Sequence, residues 1–303
     1  MHKEYEVYQV DAFTSESFTG NPAGVVLNAD GLTETEMQKI ARELNNSETA
    51  FIFSSDSPDY DVHIRFFTPT SEVPVCGHAT ISAHYVRAVT LNLDSCVVRQ
   101  KTQAGILPVE IIKQGKDYQI VMTQGKPEVG NSIVGQEKEE LLSALQLEEG
   151  DLQGYDIQIA STGHSKVMIG IKDRNKLNSI TPDFTKLAQL SSQIGCNGYY
   201  VFTLGNADVD DDNAMVHGRM FAPAIGINED PVTGNANGPL GAYLVANNIV
   251  KTDVSSFSFT AIQGECMGRK GKIQVEVSIK EGQPEKVRIF GNAVIIFNTI
   301  INI

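Results

Sequence analysis

The sequence predicts an α+β protein of two similar halves, each a β-rich surround with one apolar helix inside it. Three observations predict this. Four segment pairs recur in the same order, each half has an amphipathic helix leading into an apolar β run, and each has a charge-poor helix behind a Pro-Val-x-Gly turn.

The repeats come first, because they set the frame for everything else. TGNPAGVVL at 19–27 returns as TGHSKVMIG at 162–170, and ETAFIF at 48–53 as NGYYVF at 197–202. RFFTP at 65–69 returns as RMFAP at 219–223, and PVCGHAT at 74–80 as PVTGNAN at 231–237. The offset grows only from 143 residues (Gly20 to Gly163) to 157 (Gly77 to Gly234), which points to duplication of a unit about half the chain long.

The amphipathic helix of the first half opens at Thr33, with Glu36 at capping-box spacing, and lines up Met37, Ile40, Ala41 and Leu44 on one face. Its counterpart sets out Phe184, Leu187, Leu190 and Ile194 in the same way. The β runs AFIF (50–53) and YYVF (199–202) follow. Behind the Gly77 and Gly234 turns stand ISAHYVRAV (81–89) and GPLGAYLVA (238–246), poor enough in charge to be enclosed by sheet. Residues 124–140, rich in glycine and polar groups, read as the linker. The final run, 287–303, reads as a strand that returns to the first half. The expected domains are therefore residues 1–125 with 288–303, and residues 126–287.

Twenty-four basic against 37 acidic residues leave a net charge of −13, which argues against nucleic acid or an anionic membrane as partner. No apolar run approaches the roughly 18 residues of a membrane span, and the first residues lack a signal-peptide pattern, so the expected location is cytoplasmic. Four scattered cysteines without a CxxC pair predict reduced thiols and no structural zinc.

A duplicated scaffold shows its chemistry where the copies diverge. Glu48 of the first half aligns with Asn197, Cys76-Gly77-His78 with Thr233-Gly234-Asn235, and apolar Val73 with Asp230. The candidate proton carriers are therefore Glu48, His78, Asp230 and Cys76. Each has a plainer reading: Glu48 as a polar cap on a strand, His78 as a packed helix-start histidine, Asp230 as a helix leader, and Asn235 as a repeat of the helix start. Cys76 at a helix N-terminus would favour its thiolate, but has no cysteine opposite it. A metal site made of Cys76, His78 and His84 lacks a completing ligand at a recognisable spacing. The two helix starts offer backbone N–H groups and partial positive charge, and Gly77 and Gly234 let a ligand come close, so they are expected to bind a small anionic metabolite.

The motifs VDAFT with GNPAGVV (10–26), ARELNNSETAF (41–51), RFFTPTSEVPVCGHAT (65–80) and GINEDPVTGNANGPLGAYL (226–244) span both halves. Through them the chain resembles the phenazine-biosynthesis PhzF-like isomerase family, within the wider diaminopimelate epimerase-like fold. The resemblance implies two similar domains, each a rolled mixed sheet or barrel around a central helix, with the active site between them. It implies cofactor-free, metal-free acid/base catalysis with Glu48, His78 and Asp230 as catalytic residues. Gly77, Gly234, Asn235 and Cys76 would then touch the substrate. Asn235 stands where the phenazine enzyme has serine, which opens the choice of substrate. Thr233 stands where the epimerase branch keeps its second cysteine, which excludes a two-cysteine racemase. A lyase or epimerase using Cys76 as base, and a metabolite-binding protein without catalysis, remain as alternatives. A homodimer is the default expectation for the assembly.

Overall fold

The computed structural model describes residues 3–205 and 213–303. The chain divides into two compact units, residues 1–123 with 290–303, and residues 124–289. The first unit contains β1 (Glu4–Ala12), β2 (Asn21–Val26), α1 (Glu34–Leu44), β3 (Glu48–Ser54), β4 (Val62–Phe67), β5 (Glu72–Val73), α2 (Gly77–Thr90), β6 (Cys96–Thr102), β7 (Gly105–Gln114) and β8 (Asp117–Thr123). The second contains β9 (Glu128–Ser132), α3 (Gly135–Leu145), β10 (Gln158–Ser161), β11 (Lys166–Gly170), α4 (Arg174–Ser179), α5 (Phe184–Ile194), β12 (Tyr199–Leu204), β13 (Val216–Ala222), β14 (Ile227–Asp230), α6 (Gly234–Ala246), β15 (Ser256–Gln263) and β16 (Gly271–Lys280). Then β17 (Gln283–Gly291) leads back to β18 (Ala293–Asn302) of the first unit.

Two parallel strand pairs in each unit decide the architecture. Parallel neighbours need a crossover, and here each crossover contains a helix. In the first unit α1 joins β2 to its parallel neighbour β3, and α2 joins β4 to its parallel neighbour β6. The rest of the sheet, β18–β1–β2, β3–β4–β5 and β6–β7–β8, is antiparallel. The helix α2 packs against β1, β2, β3, β7, β8 and β18. A helix that touches both end strands and the middle of a sheet lies inside a rolled sheet. Every residue from His78 to Val86 is accordingly buried, as expected of a helix apolar on all faces.

The second unit repeats this plan. Its antiparallel runs are β9–β10–β11, β12–β13–β14 and β15–β16, joined by parallel pairs β11–β12 and β13–β15. Within it α6 is enclosed, with every residue from Ala236 to Val245 buried. The outer helices lie on the opposite faces of the sheets. The predicted capping box of Thr33 and Glu36 is formed, and Met37, Ile40 and Ala41 seat α1 on Phe51 and Phe67. Leu187 and Leu190 seat α5 on Tyr199, Val201 and Phe221.

Segment 124–140 is not a linker. Its residues form β9, hydrogen-bonded to β10, and the start of α3, while Gln124 N–H reaches Val287 O at 2.9 Å. Its polarity reflects a strand with no buried residue, not a loose connection. The strand predicted for 287–303 does return to the first unit, where β18 pairs antiparallel with β1. Among the described residues no helix is long and apolar enough to cross a membrane.

Candidate active site

In the first unit three of the predicted residues meet. The helix α1 ends in a left-handed Asn45, φ 52°, and Asn46 exchanges two hydrogen bonds with Gln9 at 2.9 and 3.0 Å. These fix the lead into β3, whose first residue is Glu48. Ser47 Oγ and Glu48 Oε2 lie 3.2 and 3.3 Å from His78 Nε2. Cys76 Sγ lies 3.4 Å from Nδ1 and 3.9 Å from Nε2 of the same ring. The imidazole thus has a carboxylate and a thiol as close neighbours, with only 9% of its side chain exposed and 14% of that of Glu48. Each neighbour can take or supply a proton through the ring.

Cys76 is the residue before α2, and its side chain makes no capping hydrogen bond to the helix. Among the described residues the N–H groups of Gly77 and His78 have no acceptor, which leaves the positive end of α2 available to an anion. Glu48, Cys76 and His78 also place a carboxylate oxygen, a sulfur and a ring nitrogen within 4.8 Å of one another, a donor set that a zinc-class ion would accept. His84 takes no part. It is fully buried on α2 against Gln100 Oε1 at 2.7 Å, and burial, with Arg87 nearby, pushes its imidazole down to about 3.

The predicted residues of the second unit gather at the start of α6. Asp230 ends β14, is buried, and accepts a hydrogen bond from the Thr233 hydroxyl. The Thr233 side chain makes no capping bond to α6. Behind it runs an oriented network. Tyr200 O–H donates to Asn237 Oδ1 at 2.7 Å, and Asn237 Nδ2 donates to Gln263 Oε1 at 3.0 Å. Gln263 Nε2 donates to Asp230 O at 2.7 Å and to Thr233 Oγ1 at 3.1 Å. The side-chain donors run from Tyr200 through Asn237, Gln263 and Thr233 to the Asp230 carboxylate, and Thr233 N–H returns a bond to Gln263 Oε1 at 3.2 Å. Gln124 Nε2 donates to Asn235 Oδ1 at 3.2 Å and to Gly234 O at 3.0 Å, and Thr162 donates to Gln124 Oε1 at 2.8 Å. Asn235 is thereby set in place from outside its helix.

Sequence reasoning did not find Tyr200, Asn237, Gln263 or Gln124. Asn237 was the most accessible of them, a second polar residue in the first turn of an apolar helix. Tyr200 and Gln263 reach the site from the strands β12 and β15, and Gln124 from the segment between β8 and β9.

One alignment needs correction. The strand register puts Phe51 opposite Arg65 and Val201 opposite Arg219, so the partner of Glu48 is Gly198, not Asn197, which matches Ser47. A slip of one residue turns a strand side chain to the other face. Gly198 has φ +145°, and a Cβ there would sit 2.7 Å from Phe221 O and 3.3 Å from the Lys166 Cδ. No glutamate fits at this point of the second unit. Lys166 occupies the neighbouring strand instead, where the first unit has Ala23 opposite Glu48. Its burial lowers its ammonium to about 8, against the opposing pull of Cys196 and Asp230.

A surface cleft of about 450 Å³ beside α3 and α5, lined by Glu139, Lys186, Gln189 and Gln193 among others, holds no comparable cluster of proton carriers. The four cysteines form no disulfide.

Over residues 10–299 the chain matches the phenazine biosynthesis-like protein family, PhzC-PhzF. It belongs to that family. This PhzC-PhzF chain is 61% identical to an uncharacterized isomerase of Clostridium acetobutylicum, over 99% of this chain and 98% of the relative. It is 50% identical to the uncharacterized isomerase YddE of Escherichia coli K12, over 97% of each. Among solved structures it is similar to the PhzF-family phenazine biosynthesis protein of Bacillus anthracis, with a TM-score of 0.88 and 32% identity over 99% of this chain and 100% of that one. The family and its named relatives make this PhzC-PhzF chain an isomerase.

Proposed function

We propose that this isomerase moves a proton within a small carboxylate-bearing substrate, without a cofactor, and that Glu48 is the group that carries it. The observation that supports this best is the Glu48 carboxylate 3.3 Å from the His78 imidazole, both largely withdrawn from water. A carboxylate there can take a proton from carbon and return it elsewhere, while His78 adjusts the charge beside it. Asp230, held by Thr233, is the third catalytic group. The N–H groups at Gly77–His78 and Gly234–Asn235, with Asn235 itself, bind the anionic part of the substrate. The working location is the cytoplasm and the working assembly a homodimer.

The test is deuterium incorporation. Pooled small carboxylic acids are incubated with the enzyme in D₂O and read by mass spectrometry. Wild type should label one compound class, and Glu48→Gln should slow labelling by about 10²–10⁴-fold, because the shape is kept and the proton acceptor removed. Full labelling by Glu48→Gln would remove Glu48 from the mechanism. Undiminished labelling after dialysis against a chelator is expected as well, and its loss would show that Glu48, Cys76 and His78 serve a metal.

A second reading follows from Cys76. Its sulfur lies 3.4 Å from His78 Nδ1 at a helix N-terminus, a geometry that can stabilise a thiolate–imidazolium pair. In that case Cys76→Ala abolishes exchange while Glu48→Gln leaves it intact.

A further inference from the structure

We propose that Lys166 is a substrate-binding residue that takes the carboxylate of the substrate, the cationic counterpart in the second unit of Glu48 in the first. This rests on the isomerase reading only for the word substrate; the carboxylate site itself stands on the geometry of Lys166.

Lys166 is the first residue of β11 and is 96% buried by the 4% of its surface that remains exposed. Among the described residues its ammonium makes a single hydrogen bond, to Ser165 O at 3.3 Å, and no ion pair. An ammonium has three donors, and leaving most of them unfilled away from water is costly unless something supplies the acceptors. The fold does not require the residue, because the equivalent position of the first unit is Ala23. The neighbouring chain is cleared for it: Gly198 carries no side chain, and the lysine stem passes 3.3 Å from where its Cβ would be.

The groups within electrostatic range of Lys166 are the Asp230 carboxylate and the Cys196 thiol, and His164 lies two residues along the chain. None of them pairs with it directly. One compact cation with open donors suits one carboxylate, whereas a phosphate would call for several cations or a forked guanidinium, which this protein of net charge −13 does not assemble here. The anion would complete the lysine's hydrogen bonds and lie beside the network that ends on Asp230.

The experiment uses the full chain labelled with [ε-¹³C]lysine. The resonance missing in either Lys166→Met or Lys166→Arg identifies Lys166, so assignment does not depend on one variant folding. Formate, benzoate and succinate are the probes, and at least one should move that resonance in a saturable way. Calorimetry of the same probe should show binding weakened about 10- to 100-fold in Lys166→Met, the loss of a charged hydrogen bond. Lys166→Arg should recover part of it. Binding with an unmoved Lys166 resonance and unchanged affinity in Lys166→Met would assign the anion to the helix start alone and overturn the proposal. So would a resonance unmoved by all three acids.

Glu48→Gln separates the two readings. It should keep the Lys166 response while losing deuterium exchange. A Lys166 response in a protein that exchanges no deuterium with any acid would keep the carboxylate site and remove the isomerase mechanism. Exchange dependent on Glu48 but indifferent to Lys166→Met would do the reverse.

Discussion

The two units of this protein share their strand order, their two pairs of parallel strands and even a matched ion pair. Arg65 grips Glu72 in one unit, and Arg219 grips Glu229 in the other, each guanidinium also lying over a phenylalanine, Phe67 or Phe221. At the start of the enclosed helix the likeness ends. One unit presents Glu48, Cys76 and His78 within 4.8 Å of one another. The other presents Asp230, Thr233 and Asn235, held by Gln263 and Gln124. The lesson is that the scaffold and the chemistry have separate causes. Apolar burial and crossover geometry keep the units alike, whereas the polar residues at the start of the enclosed helix lie outside that apolar core and differ between the units. The divergence also has a backbone cause, since Gly198 has no room for the side chain that Glu48 carries.

The largest expected effect is the one already described for Glu48→Gln, about 10²–10⁴-fold in exchange rate. The next removes the asymmetry at the helix start. His78→Asn copies the second unit's Asn235 into the first, and should lower exchange about 10²-fold with little change in melting temperature. An exchange rate like that of wild type would mean that the ring only packs α2.

The ion pairs sharpen the comparison on the stability side. Arg219 is the more buried of the two, with 8% of its side chain exposed against 21% for Arg65, and also donates to Leu177 O and Ile180 O at 3.1 and 2.8 Å. Arg219→Met strands a carboxylate and two carbonyls, and should cost about 3–5 kcal/mol in urea unfolding. Arg65→Met should cost about 1.5 kcal/mol, since Arg65 is the more exposed arginine and its loss strands no backbone carbonyl, although Glu72 and Glu229 are equally exposed at 14%. Equal losses would show that burial does not separate the copies. Gly198→Ala should cost about 1–3 kcal/mol by the same measurement, as its Cβ would press on Phe221 O.

The smallest effect is one of pH. His217, with Arg174, holds the Glu265 carboxyl down to about 2 from an ordinary 4.5. A carboxyl depressed in the folded state contributes stability that is complete above about 4.5 and is lost as pH falls towards 2. The stability gap between wild type and Glu265→Gln should therefore narrow over that interval. A gap that stays constant in urea melts across it would show that the charge of Glu265 adds nothing.

Much of this was legible in the sequence, because it depends on local patterns. The repeated segments announced a duplicated plan, the Thr33–Glu36 spacing announced its capping box, and the charge-poor stretches after Gly77 and Gly234 announced enclosed helices. The residues Glu48, Cys76 and His78 could be singled out because they break the repeat. Two local readings failed for the same reason. Segment 124–140 looked like a linker because an exposed strand has a linker's composition, and Glu48 was matched with Asn197 because composition alone does not set register.

By itself, then, the sequence determined what is periodic or local: the elements, their capping, their burial and the family to which they belong. Only the tertiary structure decided what depends on distance across strands. It brought the Glu48 carboxylate within 3.3 Å of His78 Nε2, joined Tyr200, Asn237 and Gln263 into support for Asp230, and left Lys166 buried over Gly198 with one hydrogen bond among the described residues. The physical reason is that strand register and crossover geometry are cooperative properties of the sheet. A shift of one residue costs little in composition but turns each side chain to the opposite face.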